Sequence, residues 1–125
     1  MTALRPQVLV VEDDPLLGRV IQRILSSEFE VRWIDHGEAA LALLREQFFD
    51  AVVVDVVLPG ISGLAVLADL AERNPAQARR VILATGGSWA LDADEQLAAC
   101  GQPVLEKPFA LADLSDAVRR MARQA

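Results

Sequence analysis

The sequence predicts one α/β domain built on a mostly parallel β-sheet. The chain has 125 residues, a length that suits one domain with one hydrophobic core. Short runs rich in Val and Ile alternate along it with segments whose apolar residues have helical spacing. This alternation is typical of βαβ units, whose right-handed crossovers place helices on both faces of the sheet.

Five short apolar runs predict the strands, and polar or turn residues bound each run. The runs are Gln7–Val11, Glu30–Ile34, Ala51–Val54, Val81–Ala84 and Pro103–Leu105. Continuous apolar runs of this length are typical of strands that are buried on both faces. Trp33 lies in the second run, so we expect its side chain in the core or half-buried.

Five intervening segments predict helices, of which the first and last are the clearest. Leu17, Ile21 and Leu25 recur every four residues, which places them on one face of the first helix. Asp14 is followed by a proline, a pattern typical of a helix start. Residues 91–100 have a thin apolar stripe and are interpreted as the fourth helix.

Composition and charge exclude several classes of protein. The longest unbroken apolar run has six residues, whereas a transmembrane helix needs about 20. No signal peptide is visible at the start of the sequence, and the single cysteine, Cys100, suits a reducing cytoplasm. The net charge of -6 is poorly suited to neutralising nucleic-acid phosphates. We therefore expect a cytoplasmic protein with no membrane insertion and no direct contact with nucleic acid.

Polar residues follow the predicted strands where each strand ends. Glu12 and Asp13 follow the first, Asp55 the third, Thr85 the fourth and Lys107 the fifth. A parallel sheet brings these ends to one edge, where open α/β sheets bind their ligands. Gathered carboxylates repel one another unless a cation intervenes, and oxygen ligands suit a hard cation such as Mg²⁺. Because one lysine cannot balance three carboxylates, the sequence predicts a divalent cation here.

In their order and spacing these motifs resemble the receiver domain of response regulators, the phosphoryl-accepting module of two-component signalling. Asp13 and Asp55 are 42 residues apart, Thr85 follows after 30, and Lys107 follows after a further 22. The matching stretches are Val8–Pro15, Asp50–Asp55 with Leu58, Pro59 and Gly63, Val81–Thr85, and Leu105–Phe109. The resemblance implies a flavodoxin-like, doubly wound five-stranded parallel sheet in the order 2-1-3-4-5, with five helices, over residues 1–125.

The resemblance also implies a metal site for Mg²⁺ (or Mn²⁺). Asp13 and Asp55 would bind the ion directly, and the backbone carbonyl of Val57 would be the third protein ligand. Glu12 would act through a bound water.

Asp55 would be the phosphoacceptor, since carboxylates can form acyl-phosphate intermediates. Lys107 would contact the phosphoryl group, and Thr85 would be the switch hydroxyl; the Lys107-Pro108 peptide bond is cis in relatives. The phosphoryl donor would be a sensor histidine kinase or a phosphotransfer protein. The chain would catalyse at most its own phosphorylation and hydrolysis, and would not be a metabolic enzyme. The face formed by the fourth helix, fifth strand and fifth helix is the family's usual surface for homodimers and partners.

The sequence departs from the family pattern in two places. Val104 stands three residues before the lysine, where an aromatic residue commonly reports phosphorylation. Gly86 and Gly87 follow the switch hydroxyl, where alanine is common. That loop, together with residues 103–109, is similar to receivers carried by hybrid sensor histidine kinases.

Three alternatives remain open from the sequence. The first is a receiver that serves only as a docking surface and is never phosphorylated; the intact acceptor, acidic pair, Thr85 and Lys107 argue against it, and the Val104 departure keeps it open. The second is an aspartyl-nucleophile phosphatase of the haloacid-dehalogenase type, although that class needs an aspartate as general acid at the position of Val57. The third is a nucleotide- or flavin-binding domain, although no glycine-rich phosphate-binding motif follows any predicted strand.

Overall fold

Five parallel strands form one sheet in the order β2-β1-β3-β4-β5, as the resemblance to receiver domains implies. The computed structural model describes residues 5–86 and 101–123. The strands are β1 (Gln7–Val11), β2 (Glu30–Ile34), β3 (Ala51–Asp55), β4 (Val81–Thr85) and β5 (Val104–Glu106). All neighbouring pairs run parallel, so the carboxyl ends of the strands meet along one edge of the sheet.

The strand ends differ from the prediction by one residue, and the difference concerns the candidate site. β3 and β4 continue to Asp55 and Thr85, because Asp55 pairs with Ala84 and Thr85 pairs with Glu106 on the neighbouring strands. β5 begins and ends one residue later than predicted. The polar residues therefore belong to the ladder itself, whose hydrogen bonds limit their movement.

Helices cover both faces of the sheet. The helices are α1 (Pro15–Leu25), α2 (Gly37–Glu46), α3 (Gly63–Arg73), the short α4 (Pro75–Ala78) and α5 (Leu111–Ala122). Asp14 caps α1, since its side chain accepts a hydrogen bond from the backbone N–H of Leu16 at 3.0 Å. The short α4 was not predicted. The helix predicted at residues 91–100 lies outside the described residues, as do Trp89 and Cys100.

The core consists of two apolar layers, one on each side of the sheet. One layer joins β1, β3 and β4 to α2 and α3, and the other joins them to α1 and α5. The three central strands are almost fully buried, whereas the edge strands β2 and β5 are partly exposed. Trp33 on β2 is half-buried, as expected. Within the described ranges, no helix has the length and apolar character needed to cross a membrane.

Candidate functional site

The carboxyl edge of the sheet gathers the five side chains that the sequence placed at strand ends. Glu12 is 3% exposed, Asp55 is 5% exposed and Thr85 is 1% exposed, whereas Asp13 lies at the surface. Carboxylate oxygens of Glu12, Asp13 and Asp55 all lie within 4.8 Å of one another. Lys107 follows β5 and reaches the same cluster.

Lys107 joins two of the three carboxylates. Its Nζ lies 2.6 Å from Glu12 Oε1 and 2.7 Å from Asp55 Oδ2. Its backbone N–H donates to the carbonyl oxygen of Thr85 at 2.7 Å, and the bond that follows, Lys107-Pro108, is cis. Burial alone lowers the pKa of Lys107, but the hydrogen bonds to Asp55 and Glu12 and their charges outweigh burial and raise it. The ammonium therefore stays charged at neutral pH.

Burial strongly raises the pKa of Glu12. Burial raises its pKa from 4.5 to about 7, against the hydrogen bonds from Lys107 and from the backbone N–H of Asp14, and the charge of Asp55 adds to the increase. The Asp14 N–H donates to Glu12 Oε2 at 3.1 Å. One lysine thus does not offset the cost of burying this carboxylate beside a second one.

Both carboxylate oxygens of Asp55 have a hydrogen-bond donor. Oδ2 accepts from Lys107, and Oδ1 accepts from the backbone N–H of Val57 at 3.0 Å. Gly63, the first residue of α3, packs against the backbone of Asp55, and a Cβ there would clash with the Asp55 carbonyl oxygen. The start of α3 therefore approaches β3 as closely as it does because residue 63 is glycine.

Thr85 has a buried hydroxyl with no hydrogen-bond partner among residues 5–86 and 101–123. A buried polar atom without a partner costs free energy, so such an atom in a native fold calls for an explanation. At the next residue, Gly86, an added Cβ would meet no heavy atom of the described residues within 4 Å.

The family model for the response regulator receiver domain matches residues 8–119 of this chain. The chain belongs to this family. It is therefore a receiver domain of two-component response regulators, a class of signalling modules that accept a phosphoryl group. Receiver domains as a family bind Mg²⁺ at an acidic pocket, and this chain has an acidic cluster of Glu12, Asp13 and Asp55 at the carboxyl edge of its sheet.

Curated relatives and solved structures agree with this assignment. The receiver domain is 35% identical to the probable transcriptional regulatory protein TcrX of Mycobacterium tuberculosis, over 94% of this chain and 50% of TcrX. It is 35% identical to the response regulator protein PmrA of Pseudomonas aeruginosa, over 94% of this chain and 53% of PmrA. The receiver domain of the Francisella response regulator 1452 has the same fold, with a TM-score of 0.83 and 24% identity over 95% of this chain and 98% of that one. The chain thus spans about half the length of the curated relatives it matches.

A tryptophan beneath the acidic pocket was not singled out as a site residue from the sequence. Trp33 Nε1 donates to the backbone carbonyl of Glu12 at 2.8 Å. The indole packs against Gly18 of α1, where an added Cβ would lie 2.5 Å from Nε1 and 2.7 Å from Cζ2. The period-two pattern of β2 predicts a half-buried tryptophan but does not indicate which carbonyl its N–H meets.

The roles of Val57, Val104 and the expected dimer face stay predictions. Val57 is 57% exposed, and its N–H donates to Asp55 Oδ1. The role of its carbonyl as a metal ligand stays a prediction. Val104 is 40% exposed on β5. The predicted dimer face includes residues 91–100, which lie outside the described part of the chain.

Proposed function

We propose that this receiver domain accepts a phosphoryl group on Asp55 from the phosphohistidine of a sensor histidine kinase or of a phosphotransfer protein. One observation carries the proposal. The buried Asp55 carboxylate lies 2.7 Å from the Lys107 ammonium and within 4.8 Å of carboxylate oxygens of Glu12 and Asp13. A nucleophile, a fixed positive charge and oxygen ligands for a cation thus meet at one point.

The proposed reaction is an in-line displacement at phosphorus. A carboxylate oxygen of Asp55 forms the new P–O bond as the P–N bond to the donor histidine breaks. The departing imidazole nitrogen keeps the bonding electron pair and takes up a proton. In phosphoryl transfer a protein mainly positions groups and stabilises charge on the transferred oxygens. The Lys107 ammonium, held 2.7 Å from Asp55 Oδ2, is placed to do both.

The acidic pocket fits a hard divalent cation, Mg²⁺ or Mn²⁺. Its donors are all oxygens, and Asp13 is exposed so that an ion can enter from solvent. We assign Asp13, Asp55 and the Val57 carbonyl as direct ligands and Glu12 as a ligand through water. When bound, the ion would neutralise charge on the oxygens of the transferred group.

Thr85 would couple phosphorylation to the surface of the domain. Thr85 is the last residue of β4, the strand next to β3 and Asp55, and its buried hydroxyl has no hydrogen-bond partner among the described residues. In our proposal this hydroxyl donates a hydrogen bond to a phosphoryl oxygen on Asp55. A local charge event would then bias the segment after β4 between two arrangements.

An apolar surface beside the pocket favours a protein as the phosphoryl donor. Leu16 of α1 is 74% exposed and Val20 is 37% exposed. Together with Phe109 they line an open groove of about 550 Å³ that also contacts Lys107. Exposed apolar side chains of this kind mark sites of protein contact.

The test is labelling by a small phosphodonor such as acetyl phosphate, read as the mass of the intact protein. With Mg²⁺ we expect the wild type to gain one phosphoryl group, and Asp55→Asn to gain none. Asp50→Asn is the matched control, because Asp50 accepts from the Gln7 N–H at the start of β1 and is expected to leave labelling intact. Equal labelling of wild type and Asp55→Asn would overturn the assignment of the acceptor.

The same experiment separates the two other functions. A docking receiver that is never phosphorylated would show no labelling of the folded wild type, with a histidine kinase donor as well as with acetyl phosphate. An aspartyl phosphatase would instead turn over phosphate esters many times. The expected slow hydrolysis of one aspartyl phosphate per chain differs from both outcomes.

A further inference from the structure

We propose that Trp33 and Gly18 are a positioning pair that sets the geometry of the acidic pocket for its cation. This inference rests on the proposed function, since it assumes that the pocket of Glu12, Asp13 and Asp55 binds Mg²⁺. It assigns a role in cation affinity to two residues that touch neither the cation nor the phosphoryl group.

Both backbone polar groups of Glu12 form hydrogen bonds with residues of β2. Its N–H donates to the carbonyl of Ile34 at 3.0 Å, which continues the sheet by one residue. Its carbonyl accepts from the Trp33 indole N–H at 2.8 Å, where a further backbone N–H on the β2 side would otherwise be needed to continue the ladder. A side chain thus takes the place of a backbone donor at the point where β1 ends.

This hydrogen bond fixes both acidic residues of the β1–α1 turn together. The carbonyl of Glu12 and the N–H of Asp13 belong to one peptide group, which is planar. A hydrogen bond to the carbonyl oxygen therefore restricts the orientation of this peptide plane. It also restricts the positions of the Glu12 and Asp13 Cα atoms, from which the two carboxylate side chains extend. Groups that orient ligands from outside the coordination shell commonly change metal affinity when they are removed.

Gly18 explains why the indole can reach this position. Glycine is unfavourable in the interior of a helix, and a buried glycine there usually has a packing reason. Here the reason is the close approach of the indole, since a Cβ at residue 18 would overlap the ring atoms near Nε1. Helix α1 thus has a residue of low helix propensity at the position where the Trp33 indole packs against it.

The first test measures the Mg²⁺ affinity of the unphosphorylated chain by isothermal titration calorimetry. Trp33→Phe keeps an aromatic ring but removes the N–H donor, and we expect it to weaken Mg²⁺ binding about ten-fold. Phe49→Leu is the control for general destabilisation. Phe49 is fully buried and precedes β3 at the end opposite Asp55, so this variant should lose stability and keep its Mg²⁺ affinity. Urea unfolding of each variant is measured in parallel.

The second test uses the close approach itself. Gly18→Ala is expected to displace the indole and to weaken Mg²⁺ binding to a similar degree. In a Trp33→Phe background the same substitution has no indole to displace. We therefore expect Gly18→Ala to change the affinity of that background by less than about two-fold, a non-additivity that marks direct coupling.

The outcomes separate this inference from the proposed function. Wild-type Mg²⁺ affinity in folded Trp33→Phe, or additive effects of the two substitutions, would overturn the positioning role while leaving the receiver function intact. An equal loss of affinity in Phe49→Leu would also overturn it, because the effect would then be general. Failure of the wild type to bind Mg²⁺ would refute the metal site, and the positioning role with it.

Discussion

Buried polar side chains at the two ends of the sheet differ in their hydrogen bonding. At the amino end, Gln77 of α4 is fully buried, and its amide pairs with Phe49 twice. Oε1 accepts from the Phe49 N–H at 2.8 Å, and Nε2 donates to the Phe49 carbonyl at 3.0 Å. At the carboxyl end, the Thr85 hydroxyl is equally buried but has no partner in the described part of the chain.

The charged groups show the same contrast. Asp50, near the start of β3, accepts from the Gln7 N–H at 2.7 Å, which joins two neighbouring strands. Asp55, at the other end of β3, shares one lysine with Glu12. The polar groups of the amino end thus stabilise the fold, whereas the carboxyl end has clustered charges and a hydroxyl that is unpaired within residues 5–86 and 101–123. Removing a polar group should therefore have opposite consequences at the two ends.

The largest effect is expected from Gln77→Leu at the amino end. This change leaves the buried N–H and carbonyl of Phe49 without partners and should lower the free energy of unfolding by about 3 kcal/mol. Urea denaturation measures the loss, and labelling of the folded fraction should be unchanged. Gln47→Leu, which removes only a part-buried contact to the Gln7 side chain, is the control and should cost less than about 1 kcal/mol. Equal losses would contradict the special role of Gln77.

Next in size is the pH dependence that Glu12 contributes at the carboxyl end. Burial raises its pKa from 4.5 to about 7, so between these values the folded chain binds more protons than the unfolded chain. Stability in a chelating buffer should therefore fall as pH rises through this window, by an amount on the order of 3 kcal/mol. Glu12→Gln cannot titrate and should remove that part of the slope. An unchanged slope in Glu12→Gln would place the titration elsewhere.

Thr85→Val should have the opposite sign to Gln77→Leu. Valine has nearly the same shape but no hydroxyl, so removing the unpaired group should stabilise the unphosphorylated chain by about 1 kcal/mol. Ser62→Ala is the comparison, because the Ser62 hydroxyl caps α3 by accepting from Ala65 N–H at 3.1 Å and its loss should cost about 1 kcal/mol. Urea denaturation decides the sign. A clear loss of stability in Thr85→Val would mean that its hydroxyl already has a structural partner.

The smallest effect is expected from Gly86→Ala, directly after Thr85. A Cβ has free space there, so alanine should stabilise the chain by about 0.5 kcal/mol and leave labelling intact. Gly60→Ala should instead destabilise, because Gly60 has φ +76° and a Cβ would lie 2.7 Å from Glu38 Oε2. Thermal unfolding of the pair distinguishes a permitted glycine from a required one. A destabilised Gly86→Ala would show that the departure from alanine is a steric need.

The sequence predicts the carboxyl end far better than the amino end. Parallel topology alone brings Asp13, Asp55 and Lys107 to one edge, because each lies at the end of a strand or within two residues of it, and the apolar pattern reveals those strands. The ladder also explains the one-residue errors, since Asp55 and Thr85 pair like the apolar residues before them. Polar residues at strand ends look like loop residues in a hydropathy pattern.

The amino-end contacts leave no comparable pattern in the sequence. Gln77 lies between Pro75 and Arg79 in a polar segment that looks like an exposed turn, yet it is fully buried. Its burial depends on the backbone of Phe49, 28 residues earlier, and no periodicity links the two. The contact of Trp33 with Glu12 is hidden for the same reason, since it depends on where an indole meets a carbonyl across two strands.

The close approach of Trp33 to Gly18 also restricts how this chain can evolve. Any larger residue at position 18 overlaps the indole, so it can be accepted only after Trp33 has been replaced by a smaller side chain. In the reverse direction, a tryptophan can enter position 33 only in a lineage that already has glycine on α1. The two positions should therefore change in a fixed order, and the identity of residue 18 in a descendant should indicate whether residue 33 still carries an indole.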